Sequence, residues 1–340
     1  QRGLDALNDQ LRYISHYPDA TNDDVLNAIA DTYGMDKNQI IVGNGAAELL
    51  YAICRLPGYT GAFVPAPGFS EYKEALEASN IPVRDIFYRP REDDNGKPYF
   101  EVPYLALETF AAELKGQDGR IIVFLGNPNN PDGTLLDKAH IRTVASMLKD
   151  ANSLLVIDES FIDFVGNEPL RDNDQSMRSL INEFDNIIIV HSFTKFYAVP
   201  GLRIGAAFGN EKLISQLHQY IPSWSVNTLA QAYTEAALND VNYIKRTKQE
   251  LNEERAFMYN ALDAIEGITV YPPSANFMLF KVNHEGITAN TINENLKRDN
   301  MIVRNCDSYV GLNNQWVRIA IKDHDTNIKL VEKLTDILKV

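Results

Sequence analysis

Cysteine is nearly absent from this chain: 340 residues hold only two, Cys54 and Cys306. They stand far apart, without Cys-x-x-Cys or mixed Cys/His spacing, which excludes a disulfide framework and a zinc site. The six histidines, His16, His140, His191, His218, His284 and His324, are scattered, and none is assigned to a metal. Long apolar runs are missing too. No stretch of about 18 apolar residues exists, and Gln1 to Leu11 is polar, so neither a membrane span nor a signal-peptide core is expected. A cytoplasmic location is the expectation. Positive charge is in deficit, with 32 Lys and Arg against 46 Asp and Glu for a formal net charge of −14. Such a field repels a phosphate backbone, which makes nucleic acid an unfavourable partner. An anionic ligand would then need a local cluster of cations and amides. The chain begins at Gln1 without Met, and an upstream segment is expected.

What is present is an ordinary globular composition, 45% hydrophobic and 23% charged, in a chain long enough for two domains. From Gln39 onward, short β-rich runs alternate with helical patterns: Gln39–Val42, a helix over Ala46–Leu56, Gly61–Val64, a helix over Ser70–Ser79. Further apolar runs at Ile121–Leu125, Leu154–Ile157, Asn186–Val190 and Ile204–Phe208 read as strands buried on both faces, covered by helices such as Lys138–Leu148. Past about residue 215 come a long helix over Val241–Ile265, strands at Ile268–Tyr271, Asn276–Val282 and Trp316–Ile321, and a helix near Thr288–Asp299. Arg89–Lys97 reads as a charged surface loop. The expected fold class is α/β, a large domain with a mostly parallel central sheet covered by helices plus a smaller C-terminal α/β domain. The expected divisions are an N-terminal segment 1–35 that packs with the small domain and a partner subunit, a large domain 36–220, and a long helix with the small domain over 221–340.

In an open α/β sheet, ligands sit beyond the carboxyl ends of the strands. Four of those loops are unusual. Gly43-Asn44-Gly45-Ala46-Ala47-Glu48 is a small-residue turn opening a helix, suited to backbone amides approaching a phosphate, although a Gly pair there is commonly just a turn. Gly126-Asn127-Pro128-Asn129-Asn130-Pro131-Asp132-Gly133 is either a rigid surface loop or a ligand-presenting one. Asp158 ends a wholly apolar strand, where a carboxylate is costly unless it meets a cation or a strong donor. A protonated pyridine nitrogen would be such a partner; a helix N-cap or a magnesium carboxylate are the alternatives. In His191-Ser192-Phe193-Thr194-Lys195-Phe196-Tyr197, hydroxyls bracket a lysine whose apolar neighbours would lower its pKa and make it a nucleophile for carbonyls; a generic lysine is simply solvated, and it is the four loops together that favour the nucleophile. Arg203 follows by eight residues.

With these loops, the segments His16-Tyr17-Pro18-Asp19, Pro67-Gly68-Phe69-Ser70-Glu71-Tyr72, Pro222 to Asn227, Met301-Ile302-Val303-Arg304 and Trp316-Val317-Arg318 make the chain resemble, over essentially its whole length, the fold-type-I aminotransferases, in the branch of histidinol-phosphate aminotransferase and threonine-phosphate decarboxylase. The resemblance implies pyridoxal 5'-phosphate as cofactor. It implies that Lys195 carries it and later moves the proton at the substrate carbon, that Asp158 pairs with the pyridinium nitrogen, that Asn130 holds the ring oxygen and that Phe69 stacks on the ring. The phosphate would be cradled by Ala46 and Ala47 amides, Ser192, Thr194 and Arg203, with Tyr17 reaching in from the partner of a homodimer. Arg318 would grip the substrate carboxylate as a bidentate fork, and Arg304 would serve the substrate phosphate, so a small, doubly anionic amino-acid phosphate is expected.

Within that branch, Phe161 stands where aminotransferases commonly carry tyrosine, as it does in the decarboxylases. This favours decarboxylation of L-threonine O-3-phosphate to an aminopropanol phosphate, a step toward the cobalamin side chain. The alternatives are a histidinol-phosphate-type aminotransferase using 2-oxoglutarate and glutamate and, remotely, a non-catalytic regulator, which the net charge and the joint presence of Lys195, Asp158, Asn130 and Arg203 oppose. Ser160 stands where the family usually has alanine and Asp132 where it usually has threonine. Relatives also carry upstream residues that fold over the site.

Overall fold

In chain order the strands are β1 (Ile40–Gly43), β2 (Tyr59–Ala66), β3 (Val83–Phe87), β4 (Arg89–Glu92), β5 (Pro98–Glu101), β6 (Arg120–Gly126), β7 (Leu154–Asp158), β8 (Ile187–Ser192), β9 (Gly205–Gly209), β10 (Ile268–Val270), β11 (Phe277–Val282), β12 (Arg304–Asn305) and β13 (Trp316–Ala320). The computed structural model describes residues 1–114 and 119–339. Seven strands form one sheet in the order β1-β9-β8-β7-β6-β2-β3. The pairs from β3 through β8 are parallel, and β9 runs antiparallel to both β8 and β1.

The unbroken apolar runs explain why this sheet is interior. Along β6, β7 and β8, side chains alternate between two cores, Ile121, Val123, Leu125, Leu155, Ile157, Ile187 and Ile189 facing one, Ile122, Phe124, Leu154, Val156, Ile188 and Val190 the other. A strand with a period of two and apolar residues at every position has no solvent face, so helices must cover both sides. Helices Gly45–Cys54 and Glu71–Ala78 bury Leu49, Leu50, Ile53, Tyr72 and Leu76 on one face, and helix Lys138–Asp150 buries Ile141, Val144 and Leu148 on the other.

A second sheet, β10-β11-β13-β12, is antiparallel throughout. It follows the 23-residue helix Val241–Asp263 and packs with helix His324–Leu338. The seven-stranded sheet falls inside residues 36–220 and the four-stranded one inside 221–340. Before them, helix Arg2–Gln10 seats Gly3 against Tyr233 of helix Thr228–Leu238, while helix Asp23–Tyr33 sends Tyr33 into the core beneath the large sheet.

One expectation is corrected. Arg89–Lys97 is not simply a loop: Arg89–Glu92 pairs antiparallel with Pro98–Glu101, with Asp93 accepting from the Asn95 and Lys97 amides in the turn. All four residues of β4 are exposed, so no apolar alternation marked the strand.

Candidate active site

The carboxyl ends of β1, β7 and β8, and the loop after β6, converge on one cavity of about 370 Å³. Its wall includes Ala46, Ala47, Phe69, Asn130, Asp158, Ser192, Thr194, Lys195, Arg203 and Arg318, together with Tyr72, Ser160 and Phe161. Ten of the twelve singled-out residues therefore meet in one place. The other two do not line it. Tyr17 is 81% exposed, its ring 4.8 Å from that of Trp224. Arg304 is exposed on β12, directly opposite Arg318 in the register of the strand pair.

Each polar group in the wall has a physical reason for its position. Asp158 is buried at the end of β7, where Tyr72 donates its hydroxyl to Oδ2 (2.8 Å) and the Ser160 amide donates to Oδ1 (2.9 Å). Burial, together with the neighbouring Asp158 charge, pushes the Tyr72 phenol well above its ordinary range, so it remains a donor. Tyr72 was not singled out as a site residue in the sequence. It lies inside the Pro67–Tyr72 motif, and the carboxylate's need for a donor was the signal.

Lys195 sits in a short helical turn, Phe193–Phe196, that starts as β8 ends. Burial lowers its pKa and Arg203 adds to that, while Asp158 opposes it. A lysine so placed spends more time as the free amine than a solvated one, which is what attack on a carbonyl requires. Its Nζ lies 5.5 Å from the centroid of the Phe161 ring. Phe161 meets Phe277 edge-on at 5.0 Å, and the Arg318 guanidinium lies 5.4 Å from the Phe277 centroid. An aromatic wall thus runs from the amine to the arginine.

The same cavity wall holds an anion cradle. Gly45 has φ +80°, and a Cβ there would come within 2.6 Å of Arg203 Nη2. A Cβ at Gly205 would come within 2.6 Å of the Ala46 nitrogen. Both glycines let a guanidinium and a helix N-terminus crowd together. Ser192 and Thr194 hydroxyls, 2.8 Å apart, complete the cluster.

The neighbours of Asp158 and Ser192 in sequence point through the sheet and are anchored there. Glu159 accepts from Ser176 Oγ (2.6 Å) and the Met177 amide (2.6 Å), with Arg178 at 3.6 Å. His191 meets Asp163 at 3.1 Å, and Tyr33 donates to the same carboxylate at 2.7 Å. Buried polar groups paired in this way fix the strand ends they belong to.

Asp132 is buried but does not line the cavity: it takes the Thr134 amide (2.8 Å) and the Asn129 side chain, and Asn129 also donates to the Pro67 carbonyl (3.0 Å). It stitches two loops of the site together. Cys54 and Cys306 are free and buried, and burial pushes their thiols up to about 12 and about 11.

An amine and a buried carboxylate in one cavity, with aromatic side chains and an anion cradle in its wall, define an enzyme built to hold a phosphorylated, ring-bearing carbonyl cofactor. The model of the class I and II aminotransferases matches residues 4–334. The chain belongs to that family, whose cofactor is pyridoxal 5'-phosphate, and it is a pyridoxal-phosphate-dependent lyase or aminotransferase. It is 31% identical over 339 residues to threonine-phosphate decarboxylase of Salmonella typhimurium, covering 98% of this chain and 86% of that protein. It is 30% identical over 340 residues to histidinol-phosphate aminotransferase of Methanothermobacter thermautotrophicus, covering 99% and 85%. It is also 30% identical over 332 residues to an adenosylcobalamin biosynthesis bifunctional protein of Leptospira interrogans, covering 97% of this chain but only 36% of that protein. Among solved structures, the histidinol-phosphate aminotransferase of Clostridium acetobutylicum superposes with a TM-score of 0.87 at 25% identity, over 99% of this chain and 95% of that one. Among the described residues, no helix is long and apolar enough to cross a membrane.

The residues fit the cofactor. The cradle supplies amides, hydroxyls and a guanidinium for a phosphate, and the opposite end supplies a carboxylate for a protonated ring nitrogen.

Proposed function

We propose that this chain removes CO₂ from L-threonine O-3-phosphate to give an aminopropanol phosphate. Bound pyridoxal phosphate supplies an electron sink for a bond broken at the substrate's α-carbon. In this reading Lys195 carries the cofactor and returns a proton to the α-carbon once CO₂ has left, so the lost carboxylate is replaced by hydrogen. Asp158, which accepts from the Tyr72 hydroxyl and the Ser160 amide, pairs with the protonated ring nitrogen. Ala46, Ala47, Ser192, Thr194 and Arg203 bind the cofactor phosphate, Phe69 covers the ring face and Asn130 holds the ring oxygen. Arg318 orients the substrate carboxylate and Arg304 meets its phosphate. Tyr17, exposed here, reaches the cavity of the partner in a homodimer.

The observation that carries this choice is Phe161. It stands in the cavity wall beside Lys195 with no hydroxyl to offer the cofactor's ring oxygen. Overall identity does not choose, since both activities occur among relatives at 30 and 31%. The test is an assay of the purified protein with pyridoxal phosphate. L-Threonine phosphate is followed for CO₂, and histidinol phosphate with 2-oxoglutarate is followed for glutamate. CO₂ without glutamate is the expected result, and glutamate without CO₂ would make the protein an aminotransferase.

A further inference from the structure

Arg304 and Arg318 are direct partners across the antiparallel pair β12 and β13, so their side chains leave the same face of the sheet. Like charges directly opposite one another on two strands repel. One residue lies between them and touches both. Tyr309, in the loop joining the two strands, has its ring centroid 5.7 Å from the Arg304 guanidinium carbon. Its hydroxyl donates to Asn130 Oδ1 at 3.2 Å and lies 3.4 Å from Arg318 Nη1. Arg318 Nη1 also donates to Asn130 Oδ1, closing a three-membered group of amide, phenol and guanidinium. The Arg304 side chain also donates to Ser308 Oγ at 3.3 Å, in the same loop.

We propose that Tyr309 is a specificity-determining residue that sets this pair of arginines as a clamp for a ligand with two anionic groups. Its two ends do different work. The hydroxyl holds the Arg318 fork in place for the first anionic group, jointly with Asn130. The ring's negative face holds Arg304 near Arg318 despite their repulsion, and so stations the second cation where a phosphate or phosphonate can meet it. A ligand with one anionic group uses only the first end.

The inference rests on the assignment of Arg318 and Arg304 to the two charged ends of the substrate, and its test avoids turnover. Propionate and 3-phosphonopropionate lack an amine and cannot react. Their dissociation constants are measured on the holoenzyme from the perturbation of its cofactor absorbance. Wild type is expected to favour the phosphonate. Tyr309→Phe weakens both ligands by roughly tenfold and leaves their ratio unchanged. Tyr309→Leu also lowers the preference for the phosphonate, by roughly 2- to 5-fold, and lowers it no further when Arg304 is already Gln.

A wild-type ratio in Tyr309→Leu, or a full additional fall in the Arg304→Gln background, would overturn the proposal. Absence of any phosphonate preference in wild type would overturn the two-anion reading of Arg304, and the proposal with it. Failure to release CO₂ from threonine phosphate would remove the decarboxylase reading and leave the ratio test standing. Tyr309 is half-buried in a surface loop, so the variants are expected to fold, which melting temperature and cofactor content check. Tyr309→Phe tests the hydroxyl on its own should the Leu variant lose cofactor.

Discussion

The two ends of the cavity are built on different principles. At the cofactor end, Asp158 and Ser192 finish strands that are apolar on both faces, and each is followed or preceded by a residue, Glu159 or His191, pinned on the far side of the sheet. At the proposed substrate end, Arg318 and Arg304 stand on the last two strands of a small antiparallel sheet, one half-buried and one exposed, restrained by the Tyr309 phenol, the Asn130 amide and the Ser308 hydroxyl. On the proposed reading, the interior fixes the groups that hold the cofactor. On the same reading, the rim carries the groups that choose the substrate, where a single substitution would alter recognition without disturbing a core. Such a division would account for relatives with two different activities at similar overall identity.

The sharpest test of the comparison is Asp158→Asn. An amide cannot hold a proton on the ring nitrogen by charge, so turnover is expected to fall by about 10² or more, while the dissociation constant for a substrate analogue changes little. An equal loss in analogue binding would mean that the two ends are not separable. Arg318→Ala is the converse. Losing a charge-assisted fork weakens analogue binding by roughly 10- to 100-fold, with cofactor content unchanged by absorbance. Loss of cofactor instead would place Arg318 at the wrong end. Tyr72→Phe is smaller. It removes one of two donors to a buried carboxylate, and cofactor affinity is expected to drop by roughly tenfold, measured by equilibrium dialysis.

The cofactor end was legible in the sequence for the reason that makes it rigid. A strand with no polar position, ending in an acid or in a hydroxyl-bracketed lysine, announces both its burial and its site, and Lys195, Asp158 and Asn130 fall in one cavity. The substrate end was less so. Tyr309 sits in a short loop whose only local signal is polarity, and its partners lie 179 and 9 residues away. Contacts of such separation leave no period in the chain. Hairpin β4–β5 was missed because an exposed pair has no buried face to impose alternation. Helix Asp23–Tyr33 was likewise unread, although Tyr33 anchors Asp163 behind the lysine strand.

The smallest effect probes the loops that join the two ends. Asp132 is pushed up to about 6 because burial outweighs the Thr134 and Asn129 donors that favour its charged form. Unfolded, an aspartate titrates near 3.9. Between these values the folded state holds the proton more firmly than the unfolded chain does, so stability falls as pH rises through about 4 to 6 and is level above. Asp132→Asn removes that dependence while keeping one acceptor for the Asn129 amide. The variant forfeits a bond to the Thr134 nitrogen at every pH, so its absolute melting temperature is not the measure. The difference between variant and wild type is, and it should shift by several degrees in the variant's favour between pH 4 and pH 7. A difference that stays constant with pH would mean that folding does not raise the Asp132 pKa, and that the Asn129 side chain and the Thr134 amide offset its burial in the loop carrying Asn130.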